Sequence, residues 1–295
     1  MGTARQWNEG GHAIVSATFA VDFQPRPLPQ QTVRELLALH PKFVERFPRK
    51  SETTGFLLGI PAGTAEDVQF QPEIGRPVLD GFAFDYLQPS GEVLRAIKLN
   101  EGRLSIARSD YIGWDKTWGE VRKDLALMLS VALPTTNVIA FHLQYHDRFV
   151  WDGDRSEFTA DRVFRRENDL LVPNSFKVRD LWHSHHGYFE YPDQPEKHQL
   201  LHTIQVQVVP PGRVGLSSGD GLGIDLRLNH RVYHGVERAG QQPRLIKRVE
   251  EVFGPSDAGG LIDAYINEMH DKNKALLARL INDEMCDRIG LERPR

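Results

Sequence analysis

One cysteine, no long apolar run and no excess of charge set the first limits on this chain. The lone thiol, Cys286, leaves no intrachain disulfide and no cysteine-built zinc site. Its acidic neighbours Glu284 and Asp287 would raise a thiol pKa, which argues against a nucleophile. No segment stays apolar for the roughly 20 residues that a membrane helix needs, and the N-terminus lacks a basic stretch followed by an apolar one. The expected compartment is therefore the cytoplasm. A net charge of -4 and a pI near 6.3 exclude bulk electrostatic binding to nucleic acid or membranes, leaving room only for a local basic patch. Catalytic signatures are missing too. There is no His-Glu-x-x-His and no Gly-x-Ser-x-Gly, and the glycine-rich stretch from Gly212 to Gly223 lacks a Gly-Lys-Ser/Thr ending.

What is present is periodicity. Val15, Phe19, Val21 and Phe23 lie on the alternating pattern of a strand, and Gln30 to Phe47 reads as a helix interrupted near His40 by Pro41. Gly55 to Ile60 suggests a short strand, and Pro61 to Gly81 a long connection. Phe82–Leu87, Val93–Leu99 and Arg103–Asp110 read as three strands joined by turns. Asp115–Leu133 is a clear helix, stopped by Pro134, and Val138–Val150 a strand. Three further strands are expected within 176–191, 200–209 and 223–234, then a short helix around Leu245 to Phe253. From Pro255 to Leu291 apolar residues recur at three- and four-residue steps, the stripe of one long amphipathic helix. Residues 1–12 look loose.

Charge rises and periodicity weakens from Trp151 to Ser175, which places a boundary there: 1–151 as an N-terminal α+β unit, 152–295 as an antiparallel sheet plus long helix. The expected class is α+β, with two antiparallel-sheet units each covered by helices and the C-terminal helix packed over the second. No fixed-period repeat is evident, but the halves share a loose strand-plus-helix grammar.

The sharpest local signal is the run from Trp182 to Tyr188. In a strand His183 and His185 share a face and would chelate one metal, with His186 turned away. A hairpin pairing Ile204 with Leu228 and Val206 with Leu226 sets His202 opposite His230, with Glu190, Asp193 and Asp225 as nearby carboxylates. The basic cluster Arg162, Arg165, Arg166, Lys177 and Arg179 is diluted by Asp161, Glu167 and Asp169 and reads as a solvated segment.

Three stretches together carry a resemblance: Tyr111-Ile-Gly-Trp114, Leu143-Gln-Tyr-His-Asp-Arg-Phe149, and Leu261 to Asp271 running on to Leu291. They resemble a sporadically distributed, functionally uncharacterised bacterial family of about this length. The run Gln144-Tyr145-His146-Asp147 departs from that family's Arg-Tyr-x-Asn, so no role of that arginine or asparagine carries over. The resemblance supplies no catalytic residues. It implies accessory gene neighbourhoods, including defence- and toxin-related ones.

Three functional readings follow. The favoured one is a non-enzymatic binding or assembly protein, with a protein partner or self-association and no cofactor. The second is a divalent-metal hydrolase or nuclease using His183, His185 or His202. The third is a small-ligand protein with a groove beneath the last helix. Ligand or partner contacts would come from Trp182, His186, Tyr188, His202, His230 and Tyr233.

Overall fold

In the computed structural model, residues 2–7, 11–56, 77–179, 181–190, 198–210, 221–234, 246–254 and 260–293 are described. Ten strands form one antiparallel sheet: β1 (Ala4–Gln6), β2 (Ile14–Gln24), β3 (Arg49–Phe56), β4 (Pro77–Leu87), β5 (Val93–Asn100), β6 (Arg103–Arg108), β7 (Asn137–Trp151), β8 (Trp182–Glu190), β9 (Gln199–Val209) and β10 (Leu222–Tyr233). The order across it is β3-β4-β5-β6-β2-β7-β10-β9-β8, with β1 paired to the end of β7. The α+β class therefore holds, with the two expected sheet units fused edge to edge.

The order contains a repeat that the sequence shows only as a loose grammar. In each half a long strand (β2 or β7) is followed by short helical segments and then by a meander. The last strand of that meander, β6 or β10, returns to pair with the opening one. A long helix follows each meander: α2 (Trp114–Ala132) and α4 (Leu261–Leu280). The halves meet where β2 pairs antiparallel with β7, so 1–151 and 152–295 both contribute to one sheet.

The helices cover one face. On β2, Phe19, Val21 and Phe23 are fully buried beneath α2, whose Trp114 and Trp118 stack on Phe19. Helix α4 crosses both hydrophobic cores. Ile262, Tyr265, Ile266 and Met269 enter the first, and Leu276, Leu277 and Leu280 the second. Each such buried side chain contributes roughly 1.5–3 kcal/mol. The stripe is thus packed into core along its described length. Asp263 ties α4 to α2: it accepts from the Gly260 N–H at 2.9 Å, from Arg122 at 2.8 Å and from Trp118 Nε1 at 3.1 Å.

Several expectations need correcting. The terminal helix is not continuous. Ile281 is extended and bridges Phe164, Asn282 N–H donates to the Val163 carbonyl, and the Asn282 side chain caps α5 (Asp283–Arg288). Pairing with the 160s outcompetes one more helical turn. Residues 4–6 are not loose but form β1, continuing the line of β2 along β7. The strand expected at Gly55 to Ile60 begins earlier, at Arg49; its last four residues lie outside the described ones. The polar run Arg49 to Thr54 hides an edge strand, which needs no apolar alternation. Strand β4 also begins earlier, at Pro77, and most of the expected connection before it lies outside the described residues. At Gly81 a Cβ would sit 2.1 Å from the Leu99 carbonyl oxygen, so glycine permits the close β4–β5 approach. Finally, the charged stretch after Trp151 is packed: Phe158, Val163, Phe164, Leu170 and Leu171 are buried in the second core.

Candidate functional site

Strand alternation sorts the predicted residues onto two faces. On the helix-covered face the register sets His202 opposite His230 and Tyr188 opposite His202. There the side chains form a chain. His202 Nδ1 lies 2.7 Å from His230 Nδ1, His202 Nε2 lies 3.1 Å from Glu190, and Glu190 is paired with Lys272 of α4. His230 Nε2 lies 3.0 Å from Asn273 Oδ1, also of α4. Both rings are buried, whereas Glu190 and Lys272 reach the surface.

Proton counting decides the state of this chain. An oxygen facing His230 Nε2 requires an N–H there, so His202 would donate through Nδ1 and need a second proton for Glu190. Turning the Asn273 amide to present its NH2 instead leaves both rings neutral and every contact satisfied. Burial selects the neutral arrangement. It pulls the His230 pKa down to about 3 and lowers His202 against the pull of Glu190.

Beside it, the Tyr145 hydroxyl lies 2.9 Å from His270 Nδ1, and the His270 ring stacks on Trp114 at 3.9 Å. Burial, then the Lys274 charge, lowers His270 to about 4, so its Nδ1 accepts from the phenol. Asp147 is fully buried one strand pitch along β7. Its Oδ2 has no partner among the described residues, and burial raises its pKa to about 7. Together these groups form a polar layer between the two hydrophobic cores, beneath the middle of α4.

The other predicted residues are not brought to this chain. Trp182 and His186 share the helix side but lie further along β8, with Trp182 packed on Phe164. His183, His185 and Tyr233 are on the opposite face, where the two histidines are exposed across from Gln207 and Gln205. Among the described residues no group of three His, Cys, Asp or Glu side chains is placed to hold a metal ion. A cavity of about 450 Å³ lies elsewhere, at the end of β7, lined by Thr3, Trp151, Asp161, Arg162 and Glu284.

The feature that residue-by-residue reading missed is the second sheet face. No described helix packs on it. Across its middle run Thr18, Gln144, Asn229 and Thr203, flanked by Arg227 and Gln205. Among the described residues eight cations stand on or beside this face: Arg5, Arg26, Arg49, Lys98, Arg103, Arg148, Arg227 and Arg231. Among the described strand residues the carboxylates that answer them are Asp22, Asp85 and Asp225. Arg148 donates to Asp225 at 2.6 Å, and Arg49 to Asp85 at 2.5 Å. Arg227 has no partner among the described residues. The signal was the residues between the apolar positions of each strand, cationic on an overall acidic chain.

Compared with protein-family models, curated proteins and solved structures, the chain matches none.

Proposed function

We propose that this is a non-enzymatic binding protein that recognises an acidic protein partner on the face of its sheet where no described helix packs. The observation that carries the reading is the surplus of cations on that face of a chain with net charge -4. The neutral amides and hydroxyls of Gln144, Asn229, Thr203 and Gln205 supply the directional hydrogen bonds of a protein contact. A nucleic-acid partner fits less well. Single strands need open aromatic faces for stacking, and Tyr233 has Arg231 seated 4.2 Å over its ring. The buried histidine chain supports the same reading. Its polar atoms satisfy one another beneath α4, which suits a role in holding the helix to the sheet. An accessory, defence-related setting remains what the family resemblance implies.

The test is site-specific photo-crosslinking in the native host. A crosslinking residue at Asn229 or Gln205 is expected to trap a discrete acidic protein, whereas one at Lys123 on α2 is not. Arg227→Glu is expected to weaken capture at least tenfold, with fold retained by circular dichroism. Equal capture from both faces, capture indifferent to Arg227→Glu, or capture of nucleic acid would each overturn the reading.

A further inference from the structure

Asp22 stands at the centre of an unusual charge arrangement on the open face. Its side chain is fully buried, yet its carboxylate meets four basic side chains. Arg103 donates from Nε at 2.6 Å and from Nη2 at 3.2 Å, Arg231 from Nη2 at 2.5 Å, and His142 from Nε2 at 2.9 Å. Arg26 Nη2 adds an ion pair at 3.2 Å. A carboxylate offers about four lone-pair positions, so Asp22 is saturated.

The guanidiniums are not. Each has five N–H groups. Arg103 uses two on Asp22, Arg231 uses one, and Arg26 uses Nε on the Phe23 carbonyl. Arg231 Nε is buried without a partner among the described residues. The three arginine side chains are 42%, 45% and 22% exposed for Arg26, Arg103 and Arg231, so the cluster is open to solvent although Arg231 Nε itself is buried. His142 is neutral: burial lowers its pKa, and the charges of Arg103 and Arg231 oppose the pull of Asp22. Three positive charges therefore surround one negative. Glu101 in the neighbouring turn makes no ion pair with them among the described residues.

The turn holds the geometry. Gly102 has φ 72°, its carbonyl accepts from the Phe23 N–H at 2.9 Å, and a Cβ there would meet Arg26 Cγ at 2.8 Å. Arg26 and Arg103 are thus set side by side over Asp22, while Arg231 approaches from β10 and is braced against Tyr233.

We infer that Arg26, Arg103 and Arg231, templated by Asp22, form a binding site for a phosphate-class dianion. The residual charge and the unused N–H groups of three guanidiniums gathered on one carboxylate suit a tetrahedral oxyanion better than a single carboxylate, which Asp22 already mimics. The inference rests on the open face being the recognition surface, and it names what that surface reads at one end: the phosphate group, free or carried on a phosphorylated side chain.

Calorimetric titration at low ionic strength, with inorganic phosphate and with O-phosphoserine, tests it against sodium chloride of matched ionic strength. Binding of about 1 mM or tighter is expected. Arg103→Gln and, separately, Arg26→Gln, both at partly exposed side chains, are each expected to weaken it at least tenfold. Asp22→Asn reverses the sign: it removes the internal competitor, so phosphate is expected to bind at least tenfold tighter and to raise the Tm of this variant more than that of the native protein. Equal affinity for both probes assigns the site to free phosphate, and tighter phosphoserine to a phosphorylated partner. No binding beyond the chloride control, or affinity unchanged in both arginine variants, would overturn the site. That failure leaves the crosslinking result standing, whereas crosslinking can fail while phosphate still binds.

Discussion

His230→Gln is expected to abolish up to about 5 kcal/mol of acid sensitivity. The ordinary histidine pKa is 6.5 and burial takes that of His230 to about 3. Between those values the unfolded chain binds a proton that the native ring refuses. Its contribution is therefore fully present above pH 6.5 and lost as the pH falls toward 3, at about 1.4 kcal/mol per unit. Glutamine keeps an amide near His202 and Asn273 but has nothing to titrate. At pH 7 the variant is expected to be less stable by roughly 1–3 kcal/mol, because the contacts at 2.7 and 3.0 Å are disturbed. On acidification the two curves should converge and then cross. Urea unfolding between pH 4 and 8 measures this, and a variant that keeps the native acid slope would refute it. His202 and His270, both shifted the same way by burial, retain their share.

Asp147→Asn is expected to act with the opposite sign. Here burial raises the carboxyl from 3.8 to about 7, so the native state holds a proton that the unfolded chain releases. That contribution is present below pH 3.8 and lost as the pH rises through 7, again at about 1.4 kcal/mol per unit. The accumulated loss is about 4 kcal/mol at pH 8. Asparagine removes the ionisation. The variant should equal or fall slightly below the native protein at pH 4, since its second amide hydrogen lacks an acceptor, and exceed it at pH 8. Parallel profiles across this range would defeat the prediction. Tyr111 and Tyr145, whose phenols feel the Asp147 charge, stay protonated throughout because burial raises both. Between about pH 4 and 6.5 the two slopes oppose each other, so each is best read in a variant that silences the other.

Legibility differed by feature. Val138–Val150 was readable as β7 because Phe141, Leu143 and Tyr145 alternate with polar residues, and α2 because its apolar residues recur at helical spacing before Pro134. The hairpin register placing His202 against His230 followed from aligning Ile204 with Leu228. By contrast, β1 and β3 are short or polar strands whose existence depends on the partner they pair with. The break at Ile281 was equally hidden. Its apolar period continues through the break, and only a bridge to Phe164, more than a hundred residues away, interrupts the helix.

The candidate sites divide along the same line. Glu190 could be named as a carboxylate near the histidines, but Asn273 and Lys272 come from a helix whose placement no local pattern specifies. Arg26, Arg103 and Arg231 lie in three separate stretches, and only the β6-β2-β7-β10 order gathers them on Asp22. From sequence alone came the α+β class, most strand and helix positions, and the exclusion of disulfides and cysteine-built zinc sites, because these depend on local period and residue count. Tertiary structure decided that the two halves share one sheet, that the final stripe is filled core, and that the face without a described helix is cationic. Those depend on strand order and on which face the helices cover, and neither is encoded within any single element.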